Sequence, residues 1–241
     1  MKKKRVWVIP LAVLVLLAVL FLGYTGQYYR ADGTAEQALR SDETVTVERT
    51  DYGWYFDGPS ESDALVFYPG GKVEETAYAP LLHRLAEQGI DVCLVRMPFR
   101  LAVFGQDRAA GVMDRYRYDH WYIGGHSLGG VMASGFASEH GGELDGVILL
   151  ASYTVKELED GLTAILLYGS EDGVLNMNSY EKNRAYLPDN AVEYIVRGGN
   201  HAQFGSYGKQ KGDGEASIPP EKQIEETVSV ILAAVKETEN P

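Results

Sequence analysis

Hydrophobic positions along the chain change their spacing three times. Residues 6–22 (VWVIPLAVLVLLAVLFL) carry no charge and no hydrogen-bonding aliphatic side chain. As a helix this run would be about 26 Å long, and Gly23, Tyr24 and Thr25 extend it toward the roughly 30 Å of a bilayer's hydrocarbon layer. Residues 23–43 are polar and aperiodic. Residues 44–49 (TVTVER) then alternate in period two, and Trp54-Tyr55-Phe56 follow a break at Gly53, which predicts a hairpin at a sheet edge.

Beyond that point short continuous apolar runs recur at 64–68, 91–95, 121–123, 146–150, 163–168 and 193–196. Runs without alternation predict strands buried on both faces, as in a parallel sheet. Stretches of helical period lie between and after them, at 78–88, 107–116, 128–140, 179–187 and 219–236. In the last, Ile224, Val228, Ile231, Leu232 and Val235 share a face. Alternating strands and helices predict an α/β class fold, a mostly parallel sheet covered by helices on both faces. The expected organisation is a basic segment at 1–5, a transmembrane anchor or signal segment at 6–24, a tether at 25–43 and one α/β domain at 44–241.

Charge adds direction to the apolar run. Lys2, Lys3, Lys4 and Arg5 precede it, whereas only Arg30 and Arg40 occur in the twenty residues after it. That asymmetry predicts a cytoplasmic N-terminus and an extracytoplasmic domain in the cell membrane. The alternative is a cleaved secretory signal, for which Gly33-Thr34-Ala35 offers a small-x-small site. The whole chain carries a net charge of −12, which excludes phosphate-backbone binding as the expected role. A single cysteine, Cys93, excludes an internal disulfide framework and a cysteine-rich metal site. Its place between Val92 and Leu94 marks it as a core residue.

Candidate chemistry centres on Gly125-His126-Ser127-Leu128-Gly129. A buried strand leads in and an amphipathic stretch leads out, the setting in which a serine sits on a strained turn at a sheet's carboxyl edge. Side chains at Gly125 or Gly129 would collide across such a turn. A serine hydroxyl needs a base, and the base an orienting carboxylate, in the chain order Ser, Asp or Glu, His. The strand at 163–168 ends in Gly169-Ser170-Glu171-Asp172, and the strand at 193–196 leads to Gly199-Asn200-His201. Among five histidines only His201 satisfies both order and position. Asp172 is the expected acid and Glu171 its alternative.

These features, with Tyr68-Pro69-Gly70-Gly71, resemble the α/β-hydrolase family, in particular its small, lidless, dienelactone-hydrolase-like members, over roughly residues 60–238. The resemblance implies a Ser127 nucleophile, a His201 base and an Asp172 orienter. The chain departs from it at Pro69-Gly70, where His-Gly is usual, and at Ser127, where the dienelactone enzymes carry cysteine. Oxyanion donors are expected at Leu128 N–H and in the 69–72 loop at Gly71, with Lys72 as the alternative. The twelve or so residues between the strands at 146–150 and 163–168 are too few for a cap domain, which predicts an open pocket. The loop at 204–217 is the expected flexible rim. The expected function is therefore a serine hydrolase acting through an acyl-enzyme on small esters or exposed acyl groups, with no metal and no cofactor. Acyl transfer on the same triad and a catalytically lapsed binding protein are the alternatives.

Overall fold

The computed structural model describes residues 8–60 and 62–239. The basic segment at 1–5 lies outside the described residues, as do Val6 and Trp7. Helix α1 (Val8–Gly26) and the short helix α2 (Gly33–Ala38) precede eight strands: β1 (Thr46–Arg49), β2 (Gly53–Asp57), β3 (Asp63–Tyr68), β4 (Ile90–Val95), β5 (His120–His126), β6 (Gly146–Leu150), β7 (Thr163–Gly169) and β8 (Val192–Val196). The remaining helices are α3 (Ala79–Glu87), α4 (Arg108–Met113), α5 (Leu128–Ala137), α6 (Met177–Asn183) and α7 (Pro220–Glu239).

All eight strands join one sheet in the order β1-β2-β4-β3-β5-β6-β7-β8. The β1–β2 hairpin forms an antiparallel edge, with Glu48 opposite Tyr55, and β2 runs antiparallel to β4. From β4 to β8 every pairing is parallel. The two faces separate by residue parity. Leu65, Phe67, Val92, Leu94, Ile148 and Ile165 point toward α3 and α7, whereas Ala64, Val66, Cys93, Ile123, Val147 and Leu166 point toward α4 and α5. Period-two alternation thus survives inside runs that are apolar on both faces. Cys93 sits in the second of these layers, where burial pushes its thiol up to about 12.

The sheet differs from the expectation at β8. This strand closes the second edge, and Glu193, Tyr194 and Ile195 are exposed. Its apolar residues pack on one neighbour only, so a run too short to show alternation reads as buried when it is an edge.

Residues 28–43, expected as a tether, lie against the domain. Tyr29 bridges to Val73, Ala35 is fully buried, and His83 of α3 places Nδ1 2.9 Å from the Ala38 carbonyl and Nε2 2.9 Å from the Asp42 carboxylate. Backbone N–H groups of Val45 and Thr44, with His83, draw the Asp42 carboxyl down to about 2. Asp32 caps α2 by accepting from the Thr34 and Ala35 N–H groups. A few apolar anchors in a polar stretch suffice to dock it, and they leave no periodicity for a sequence reading to find. Helix α1, by contrast, projects an almost wholly exposed apolar surface.

The connection at 151–162 contains no helix or strand, so no cap domain is inserted between β6 and β7.

Candidate active site

Parallel strands bring four loops to one edge of the sheet, after β3, β5, β7 and β8. At the end of β5 the chain turns sharply into α5, and Ser127 takes φ 52° and ψ −122° to make that turn. A non-glycine residue in this region costs on the order of 1–3 kcal/mol, which the surroundings must over-determine. Ser127 N–H donates to the Leu150 carbonyl at 2.9 Å, and Ser152 Oγ donates to the Ser127 carbonyl at 2.8 Å. The flanking glycines are required by contact. A Cβ on Gly125 would lie 2.6 Å from the Gly129 carbonyl carbon, and one on Gly129 only 2.2 Å from the Tyr68 carbonyl oxygen.

After β7, Asp172 turns its carboxylate inward. Oδ1 accepts the Val174 and Leu175 N–H groups, each at 2.8 Å, and Oδ2 lies 2.9 Å from His201 Nδ1. Both side chains are 1% exposed. A carboxylate only accepts, so Nδ1 carries the proton in the neutral ring and Nε2 presents its lone pair. Nε2 is buried and has no hydrogen-bond partner among the described residues. His201 and Ser127 line the same cavity of about 210 Å³, together with Leu128, Val131, Tyr153 and Leu175. Glu171 is turned outward and exposed, where Ser170 Oγ donates to it.

The loop after β3 completes the edge. A Cβ on Gly71 would lie 2.9 Å from Leu128 Cδ2, so the two residues expected to offer N–H donors are in contact, and neither N–H has an acceptor among the described residues. Lys72 N–H is committed, donating to the Arg100 carbonyl at 2.8 Å. That leaves Gly71 as the donor available from this loop.

Two features escaped the sequence reading. Beneath the site, Gly70 N–H donates to Tyr78 Oη at 3.0 Å, Tyr78 Oη lies 2.8 Å from His126 Nδ1, and His126 Nε2 lies 3.1 Å from the His201 carbonyl. The carbonyl can only accept, so His126 is the Nε2–H tautomer and Tyr78 donates to Nδ1. Burial, reinforced by the neighbouring His201, holds the His126 pKa well below the ordinary histidine range. Second, Asp213 accepts N–H bonds from His201 at 3.2 Å, Ala202 at 2.9 Å, Gly173 at 3.2 Å and Gly214 at 2.9 Å. The 204–217 loop, expected as a flexible rim, is through Asp213 a clamp joining the His201 and Asp172 loops. Gly212-Asp213-Gly214 was its only signal, a turn sequence indistinguishable from many others.

The family model of the alpha/beta hydrolase family matches residues 64–225. The chain belongs to the alpha/beta hydrolase family. This matched stretch runs from within β3 to within α7 and contains Gly71, Ser127, Leu128, Asp172 and His201, the five candidate residues. Among solved structures, Est1E from Butyrivibrio proteoclasticus aligns at 12% identity and TM-score 0.57, over 80% of this chain and 100% of its own. Carboxylesterase CesB from Bacillus subtilis aligns at 11% identity and TM-score 0.54, over 89% and 98%. A bacterial membrane phospholipase A, described as a virulence factor, aligns at 13% identity and TM-score 0.60 over the full length of both chains. Identities this low show a common fold. No curated protein sequence matches the chain significantly. Family and fold together make this alpha/beta hydrolase an enzyme of the hydrolase class.

Proposed function

We propose that this hydrolase cleaves carboxylic esters through a Ser127, His201 and Asp172 triad. The reading is carried by one arrangement: Ser127 on its strained turn opens to the same cavity as His201, whose ring is held by Asp172. His201 Nε2 takes the Ser127 proton as Oγ attacks the ester carbonyl. The C–O bond then breaks, and the alcohol leaves with that proton. Water, deprotonated by the same nitrogen, releases the acid from the acyl-enzyme. The oxyanion of each step is received by Gly71 and Leu128 N–H, and losing one such donor typically costs about 3–4 kcal/mol of transition-state stabilisation. The carboxylesterase neighbour named above agrees with ester chemistry.

Helix α1 acts in this reading as a single-pass anchor with the catalytic domain extracytoplasmic. Its 19 residues would span about 28 Å, and four cations precede it. The decisive experiment is labelling with a fluorophosphonate probe. Wild type is expected to label and Ser127→Ala not to; equal labelling of both, or of neither, removes the nucleophile. Retention of the full chain in membranes washed at alkaline pH tests the anchor against a cleaved signal.

A further inference from the structure

The chain leaving α1 is zipped to the loop that carries Gly71. Tyr29 N–H donates to the Lys72 carbonyl and Glu74 N–H to the Tyr29 carbonyl, both at 2.8 Å. Three residues beyond the apolar helix, therefore, the chain is already hydrogen-bonded to the edge of the candidate site. A second loop joins the same junction. Phe21 of α1 meets the Phe99 ring edge-on at 5.0 Å and the Phe104 ring at 5.9 Å, and Phe99 and Phe104 lie 5.7 Å apart. Lys72 N–H donates to the Arg100 carbonyl at 2.8 Å, and Lys72, Phe99 and Arg100 all have left-handed φ, at 59°, 54° and 58°. Strained backbone of this kind clusters where structure serves function.

The side chains of this second loop are unusual for a chain so acidic. Phe99, Val103 and Phe104 are 48%, 49% and 52% exposed, and the two phenylalanine rings sit beside Phe21, near the end of α1. Val155, Tyr186, Tyr194 and Ile195, also exposed outside α1, belong to the far half of the chain. Cations stand around the same level. Lys72 Nζ lies 4.0 Å from the Tyr24 ring centre, and the Arg100 guanidinium 3.5 Å and the Arg30 guanidinium 5.2 Å from that of Tyr28. The nearby Glu74 carboxylate is engaged, accepting from Ala31 N–H at 3.1 Å. If α1 spans a bilayer, Phe21 lies at the boundary of acyl chains and head groups. The apolar trio is then level with that boundary and the cations with lipid phosphates, an arrangement typical of interfacial binding.

We propose that residues 98–104 form a second membrane contact continuous with α1, and that the site cleaves acyl esters of anionic glycerophospholipids in the same bilayer. This substrate assignment rests on the ester hydrolysis proposed above and on α1 acting as an anchor. Lys72, Arg100 and Arg30 meet the head-group phosphate, while the apolar loop holds the Gly71 side of the cavity against the lipid surface. Ser127 attacks the acyl carbonyl, the glycerol oxygen leaves as a lysolipid hydroxyl with the proton from His201, and water releases the fatty acid.

The test uses the full chain reconstituted in phosphatidylglycerol vesicles. Wild type is expected to release fatty acid from the vesicles. Phe99→Ser with Phe104→Ser should lower that turnover by about tenfold while leaving kcat/KM for soluble p-nitrophenyl acetate within about twofold. Phe104→Trp should gain emission that lipids brominated on their acyl chains quench. Absence of that quenching, or equal vesicle turnover by wild type and the double variant, overturns the membrane contact. Wild type that cleaves the soluble ester but no vesicle lipid overturns the substrate and leaves ester hydrolysis standing. Cleavage of neither removes ester hydrolysis itself, and this substrate with it.

Discussion

Tyr78 Oη donates to His126 Nδ1 at 2.8 Å, and through that bond the glycine loop after β3 is fastened to the serine turn after β5. Gly70 N–H uses the same hydroxyl as its acceptor, and Tyr78 is fully buried, so no solvent can replace it. Tyr78→Phe would strand the Gly70 N–H and leave His126 Nδ1 without its donor. An unsatisfied buried donor costs about 1–3 kcal/mol. The expected result is a lower melting temperature together with a kcat about tenfold down and KM little changed, because the loop offering Gly71 loses its anchor. Steady-state kinetics on a p-nitrophenyl ester decide the point. A kcat equal to wild type would mean that the loop is held by other contacts.

His126 also makes stability depend on pH. Its folded pKa lies well below 6.5 because burial disfavours the charged ring, with His201 adding to the effect. In the unfolded chain the ring titrates normally, so below about pH 6.5 the unfolded state binds the extra proton, and stability falls as pH falls. This contribution is complete above pH 6.5 and declines below it by at most about 1.4 kcal/mol per pH unit, until the folded-state pKa is reached. Urea unfolding at pH 7.0, 6.0 and 5.0 should show a steeper acid loss for wild type than for His126→Gln. Parallel slopes would place the acid sensitivity elsewhere, in carboxylates such as Asp42.

The sequence made Ser127, Asp172 and His201 legible because each lies just past a recognisable strand, and parallel strands in one sheet bring such positions to a common edge. Five of the six buried runs hold for the same physical reason, since a strand covered on both faces has few polar residues to hide it. Asp213, Tyr78 and His126 act by approach across as many as 75 positions of chain, and nothing local distinguishes them from a turn aspartate, a core tyrosine or a serine's neighbour. Likewise the docking of residues 28–43 depends on Tyr29, Ala35 and Leu39, single apolar side chains too sparse to form a pattern.

Asp172 and Glu171 can be separated by experiment. The structure turns Asp172 toward His201, with two backbone N–H groups holding its other oxygen, and leaves Glu171 in solvent. Asp172→Asn keeps the shape but lets the side-chain amide donate to Nδ1, which favours the wrong tautomer. Its kcat is expected to fall by about 10³–10⁴. Glu171→Gln should leave kcat within about twofold, since its exposed side chain is hydrogen-bonded only to Ser170 Oγ among the described residues. A large loss in the glutamate variant with little loss in the aspartate variant would reverse the assignment.

Asp213 is the residue whose removal best separates positioning from chemistry. Its carboxylate accepts from His201 and Ala202 on one loop and from Gly173 on the other, so it fixes the spacing of the His201 and Asp172 loops without lining the cavity that Ser127 and His201 share. Hydrogen bonds to a charged acceptor are worth about 1.5–3 kcal/mol each in favourable settings, and partial exposure here puts the net loss for Asp213→Ala at about 2 kcal/mol. Misplacement of His201 by even 1 Å is expected to lower kcat by about 100-fold. Fluorophosphonate labelling should slow but still go to completion, because Ser127 and both partners remain. Asp213→Glu, which keeps the charge on a longer stem, should recover part of the rate. An alanine variant that loses stability yet keeps wild-type kcat would show that the clamp serves the fold alone.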